Sequence, residues 1–231
     1  MLLSSSRCAI LPFSKMRDYR DLLNFFLTQR FVGFAVPGEP HFDEVSTPYF
    51  LGLIVGCRHY LEYGSGGSTV VAANLGKPFI SVDTDRFFLK SVAKKIGARR
   101  PDQRLAYADI GLTGPWGAPL RTQAPSIRRL NKWKAYPSVP WRFINENNPP
   151  DLILVDGRFR VASALTCLMQ SAERPDTKVL VDDYANRPHY FILEQYAKLV
   201  TMAGRMAVFQ PQERDPHELT DIIDRYSRDW R

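Results

Sequence analysis

Between Tyr60 and Val71 the chain reads Tyr60-Leu61-Glu62-Tyr63-Gly64-Ser65-Gly66-Gly67-Ser68-Thr69-Val70-Val71. An apolar run enters from Ile54-Val55 and ends at Glu62. Small residues follow, and an apolar, helix-compatible run continues from Thr69 to Leu75. This pattern predicts a strand, a tight turn and a helix. Glycines let the backbone turn sharply and leave room for a ligand beside the main chain. Ser68 or Thr69 is placed to cap the helix. The free N–H groups of its first turn would face the ligand.

Two nucleotide-type readings meet at this turn. The dinucleotide fingerprint G-x-G-x-x-G finds Gly64 and Gly66, but its last position falls on Thr69. A phosphate loop needs a Gly-Lys-Ser/Thr ending, which is absent. Glu62 separates the readings further. A carboxylate at the mouth of the turn repels a pyrophosphate and suits a ligand bearing an ammonium group.

The rest of the chain repeats strand and helix. Pro78 to Val82 predicts a second strand ending at Asp83-Thr84-Asp85, with Asp85 capping a helix from Arg86 to Ile96. Asp83 stands at nearly the spacing from Gly64 at which nucleoside-binding folds place the acid that holds ribose hydroxyls. Arg104 to Ala108 predicts a third strand ending at Asp109. Asp151 to Val155 predicts a central parallel strand delivering Asp156 to the top of the sheet, followed by a helix from Val161 to Ala172. Thr177 to Val181 predicts a fifth strand ending at Asp182-Asp183, with a helix from Asn186 and Pro188 to about Lys198. Leu199–Met202 and Met206–Phe209 around Gly204 predict a closing hairpin. Asp215-Pro216-His217-Glu218 opens a terminal helix to about Arg228. Such alternation requires a parallel sheet with right-handed crossovers.

Two segments stand outside that alternation. Residues 1–40 form an N-terminal extension, with an amphipathic helix over 15–30 whose apolar face packs on the main domain or on a second subunit. The domain proper then covers 41–231, with Thr47 and Pro48 opening its first helix. Within it, 110–148 is an insertion. From Ile110 to Asn145 it holds Arg121, Arg128, Arg129, Lys132, Lys134 and Arg142, with Trp116, Trp133, Tyr136 and Trp141 and no acid. A lid or substrate-recognition loop is the first reading, and an anionic partner such as single-stranded nucleic acid the second.

Composition narrows the class. Of 231 residues, 45% are hydrophobic, enough for a real core. No apolar run approaches the ~20 residues needed to cross a bilayer. Met1 to Pro12 lacks the order of a signal peptide, so a cytoplasmic protein is expected. Cys8, Cys57 and Cys167 are scattered and read as small buried hydrophobes. The net charge of +7 allows an acidic partner without requiring one.

Glu62-Tyr63-Gly64-Ser65-Gly66 resembles the first motif of the class I S-adenosylmethionine-dependent methyltransferases, an acid followed by x-G-x-G at the end of the first strand. Ser68 stands where that family often has glycine. The resemblance covers roughly residues 47–210 and leaves the extension and the insertion unaccounted for. It implies a Rossmann-like, doubly wound, mostly parallel seven-stranded sheet closed by a C-terminal β-hairpin. It also implies S-adenosylmethionine held by Glu62, Gly64, Ser65, Gly66, Ser68, Asp83 and Asp109, with Asp109 near the adenine. Asp156 falls at the family's fourth motif, beside the transferring methyl group. Asp156, Asp182 and Asp183 are similar to the Mg²⁺ site of catechol-type O-methyltransferases, although an Asp-Asn pair there is Asp-Asp here. They are the candidate catalytic and metal-binding residues. Trp116, Arg158 and Arg160 are the candidates for holding a small-molecule substrate. The rival readings are a nicotinamide-dependent oxidoreductase and a non-catalytic protein binding an anionic partner.

Overall fold

The computed structural model describes residues 19–120 and 122–231. Its strands are β1 (Tyr60–Tyr63), β2 (Phe79–Asp83), β3 (Gln103–Tyr107), β4 (Leu152–Val155), β5 (Lys178–Val181), β6 (Lys198–Ala203) and β7 (Met206–Gln210). They form one sheet in the order β3-β2-β1-β4-β5-β7-β6. Strands β1 to β5 pair in parallel, and the β6–β7 hairpin joins antiparallel through β7. All residues of β1 and β4 are buried, as expected of central strands covered on both faces.

The helices are α1 (Tyr19–Leu27), α2 (Ser46–Gly56), α3 (Gly67–Asn74), α4 (Arg86–Ile96), α5 (Ile127–Ala135), α6 (Arg160–Gln170) and α7 (Pro216–Tyr226). One core packs α2 and α3 on the sheet through Phe50, Ile54 and Ala72. The other packs α6 and α7 through Leu165, Leu168, Leu219 and Ile222. Cys57 and Cys167 are buried thiols, as expected, and Cys8 lies outside the described residues. Among the described residues no helix is long and apolar enough to cross a membrane.

Several boundaries moved. The Asp43 carboxylate, not Thr47, accepts the Val45 and Ser46 amides at 2.9 Å, and Thr47 Oγ1 turns back onto the Asp43 carbonyl. Ser68 and Thr69 lie inside the first turn of α3, and the Gly66 amide donates to Thr69 Oγ1 at 2.8 Å. After β5 the chain forms 3₁₀ turns, Tyr184–Asn186 and Pro188–Gln195, instead of an α-helix. Its buried anchors, Tyr184, Tyr190 and Leu193, do not follow one α-helical face. The predicted helix over 15–30 is α1 followed by a π-turn, Thr28–Val32; residues 15–18 lie outside the described residues. Only part of its apolar face packs on the main domain, and Leu23 and Leu27 of that expected face are exposed. Phe25 stacks on Phe34, which meets Phe88, and the Gln29 amide donates to Asp85 at 2.6 Å.

The insertion is less of a lid than expected. Trp133 and Tyr136 belong to the α6-side core. Trp133 Nε1 donates to the Ile110 carbonyl at 3.0 Å, and Trp141 Nε1 to Tyr63 Oη at 3.0 Å. Its aromatics largely close the fold, and Trp116, 53% exposed, and the buried Tyr136 line the cleft described next.

Candidate functional site

Strands β1 and β4 are neighbours whose crossovers run in opposite directions, so the sheet has its switch point between them. A cleft of about 750 Å³ opens at their carboxyl ends, within the size range of small-molecule sites. Register pairs Tyr63 with Val155, which places the turn after β1 against the turn after β4. A side chain at Gly64 would meet the Gly157 amide at 2.8 Å, and Gly64 itself has φ +95°. A side chain at Gly67 would strike the Glu39 carbonyl at 1.8 Å. The glycine run is therefore set by two backbone contacts, one to the β4 turn and one to the N-terminal segment. Gly64, Ser65, Gly66 and Ser68 all line the cleft.

Glu62 does not. It is fully buried beneath the turn, and accepts hydrogen bonds from Tyr60 Oη at 2.8 Å, Ser68 Oγ at 2.7 Å and Thr69 Oγ1. The expectation that it meets a ligand's ammonium group is corrected. In a strand buried on both faces its side chain turns under α3 and fastens the helix start. Burial pushes its pKa up, against the hydroxyls of Ser68, Ser81, Thr69 and Tyr60, which favour the charged form.

Asp83 stands at the cleft. Its carboxylate accepts the Ser65 amide at 3.1 Å and the Asp85 amide at 2.7 Å. Burial, aided by the neighbouring Asp85 charge, pushes its pKa up to about 7. Asp109 does not reach the cleft. It accepts from the Gly111 amide at 2.9 Å and pairs with Lys132 of α5 at the surface. Thr84, Trp116 and Gly117 occupy that wall instead.

Three arginines pair with the acids after β4 and β5, and a fourth, Arg158, stands beside them. Arg160, 4% exposed, lies 2.8 Å from Asp156 and 3.1 Å from Asp183. Arg205, from the hairpin, donates to both oxygens of buried Asp182 at 2.9 and 2.8 Å. Arg187 lies 2.9 Å from Asp183. Arg158 Nε donates to the Trp116 carbonyl at 3.0 Å. Burial alone would raise Asp183, but Arg160, Arg187 and Arg205 hold it below the usual range. At Asp156 burial wins: it outweighs Arg160 and, with the Asp182 and Asp183 charges, pushes the pKa up to about 7.

No family model matches this chain, and no curated protein does. Among solved structures it is similar to a methyltransferase-like protein from Silicibacter pomeroyi DSS-3. The two are 33% identical over 84% of this chain and 100% of that one, with a TM-score of 0.68. The chain belongs to the class I S-adenosylmethionine-dependent methyltransferases. Two members of that class are more remote. A TehB-like enzyme from Corynebacterium glutamicum is 12% identical over 84% of this chain and 97% of that one, with a TM-score of 0.43. The Podospora anserina methyltransferase PaMTH1, solved with S-adenosylhomocysteine, is 11% identical over 89% and 99%, with a TM-score of 0.45. Neither adds to what the first shows.

As a class I methyltransferase chain it departs from the catechol-type metal pattern. Asp156, Asp182 and Asp183 each lie against a guanidinium. Among the described residues no group of His, Cys, Asp and Glu is arranged to hold a metal ion. The donor set does not fit Mg²⁺, because cations of the protein already neutralise the oxygens such an ion would need. Sequence reading also missed Tyr136. Its hydroxyl is buried at the cleft, where a side chain on Gly157 would meet it at 2.7 Å, and it lies against the Arg158 backbone amide. It was named only among the aromatics of the insertion, with no role of its own. Arg187 and Arg205 were also missed, because the pairing that matters is tertiary.

Proposed function

We propose that this protein transfers the methyl group of S-adenosylmethionine to an oxygen or nitrogen of a small-molecule acceptor. The observation that carries this reading is the cleft at the β1–β4 switch point, with the glycine turn on one wall and two carboxyls, Asp83 and Asp156, on the others. The residues present suit the cofactor. Asp83 accepts from the ribose hydroxyls. Gly64, Ser65, Gly66 and Ser68 hold the amino-acid end, whose carboxylate gains from the first amides of α3. Trp116 offers a ring face to the nucleoside or the acceptor. The bound cofactor supplies an electrophilic methyl group, and alignment with the acceptor is mainly a proximity effect.

Asp156 is the proton acceptor for the incoming nucleophile. A base with pKa near 7 is half available at neutral pH and still basic enough to work. Arg160 steadies it at 2.8 Å. Asp182 and Asp183 position the arginines. Calorimetric titration with S-adenosylhomocysteine, with NADH as control, tests the reading. Saturable binding of the first alone is expected, weakened about tenfold or more by Asp83→Ala. Binding of NADH alone overturns it.

A further inference from the structure

Arg158 is unlike the other three arginines of the cleft. Arg160 is spent on the Gly157 and Asp182 carbonyls and on two carboxylates. Arg205 is bidentate on Asp182. Arg187 shares Asp183 and also reaches Tyr190 Oη at 3.2 Å. Arg158 gives one N–H to the Trp116 carbonyl, and its guanidinium forms no ion pair among the described residues. Burial and the nearby charges of Arg160 and Arg187 hold its pKa below the usual arginine value, against the pull of Asp156. The carboxylates of Asp156, Asp182 and Asp183 are taken by Arg160, Arg187 and Arg205, which leaves Arg158 without an ion-pair partner of its own among the described residues. S-adenosylmethionine, a cation overall, brings no net negative charge to meet it. An incompletely paired cation in such a place is costly, and an external anion relieves it through a fork of charge-assisted hydrogen bonds.

Two further observations converge on the same spot. Tyr136 is 1% exposed, and its hydroxyl meets the Arg158 backbone amide and no other partner among the described residues. A phenol that only accepts still has its proton to give, here to a ligand atom in the cleft. The described non-glycine residues with positive φ are Trp116 (59°), Phe159 (52°) and Asp183 (58°). One accepts the Arg158 N–H, one follows Arg158 in sequence, and one anchors Arg187. Strain of this kind collects where a site is held in a fixed shape.

We propose that Arg158, with Arg187 beside it, seats an acid group of the methyl acceptor, so that the acceptor is an anionic small molecule bearing a carboxylate or a phosphate. This rests on the methyl-transfer reading of the cleft. The cofactor's own carboxylate is served on the other side, by the amides at the start of α3. The seat lies within the cleft beside Trp116, which suits a small acid better than a polymer.

Inorganic phosphate and acetate are the probes, titrated calorimetrically into the wild-type chain, Arg158→Gln and Arg158→Lys, each with and without saturating S-adenosylhomocysteine. The wild type should bind at least one anion saturably. Arg158→Gln should weaken that binding about tenfold or more and leave S-adenosylhomocysteine affinity within about twofold. Arg158→Lys, which keeps the charge and loses the fork, should fall between. It decides the matter alone if circular dichroism shows Arg158→Gln to be misfolded. Absence of saturable anion binding, or anion binding indifferent to both substitutions, overturns the proposal. So does a tenfold loss of S-adenosylhomocysteine affinity in a folded variant, which would make Arg158 a cofactor contact. If the wild type binds anions through Arg158 but no S-adenosylhomocysteine, the methyl-transfer reading falls and the anion seat stands.

Discussion

Glu62 is a small buried hub, and its removal tests what it does. Glu62→Ala leaves the hydroxyls of Tyr60, Ser68 and Thr69 without their shared acceptor. The expected cost is about 2–4 kcal/mol of stability, seen as a lower midpoint in urea unfolding. Cofactor affinity should fall because the turn loosens. An unchanged midpoint would show that this carboxyl holds nothing. Gly64→Ala should do more harm to binding, since the new methyl group meets backbone on the β4 turn at a φ of +95°; strain of about 1–3 kcal/mol is expected. The two cleft acids set a pH dependence. Asp83 and Asp156 keep their protons up to about 7 in the fold, against about 3.9 in an unfolded chain. The folded state thus binds protons more tightly between those values. Their contribution to stability is greatest at low pH and is lost as pH climbs from about 4 to about 7. Melting temperatures of the wild type and Asp83→Asn across that range check the sign: the variant should lose less. Catalysis should run the other way, rising through about pH 7 as Asp156 frees its lone pair.

Asp85 illustrates how an element is held. It accepts the Phe87 and Phe88 amides at the start of α4 and also ties Gln29 of the N-terminal extension. Asp85→Ala should cost about 1–2 kcal/mol, lowering the melting temperature by about 2–4 °C per kcal/mol for a chain of this size. It should also expose the 19–35 segment to limited proteolysis. Asp85 was legible from its place before Arg86, as were the strands, because an apolar run ending in acid or glycine has few other meanings in an alternating chain. What could not be read was direction. Strands β1 and β4 are buried on both faces, so the alternation that would tell an inward from an outward side chain is missing. Glu62 therefore looked like a ligand contact. Asp109 looked like one too, since its Lys132 partner lies far along the chain. The insertion has no steady period, and Trp133 and Tyr136 gave no sign that they enter the core. The three aspartates resembled a metal site because the guanidinia that answer them come from α6, the link between two 3₁₀ turns, and the hairpin.

Across the whole molecule, Arg205 joins parts that sequence keeps apart. From the hairpin turn it reaches Asp182 after β5 and the His41 carbonyl of the N-terminal segment, and its amide donates to Asp43. Arg205→Ala would strand the buried Asp182 carboxylate. A loss of about 3 kcal/mol or more is expected in denaturant unfolding, with cleft binding weakened as a consequence. A variant as stable as the wild type would mean that Asp182 is content without it. The contact between Gly64 and Gly157 reaches further. The turns after β1 and β4 lean on each other through bare main chain, with no side chain between them that could be exchanged. On the methyl-transfer reading, drift toward new substrates is thereby steered to side chains that line the cleft, such as Trp116 and Arg158, while the seam of the two loops stays closed to innovation.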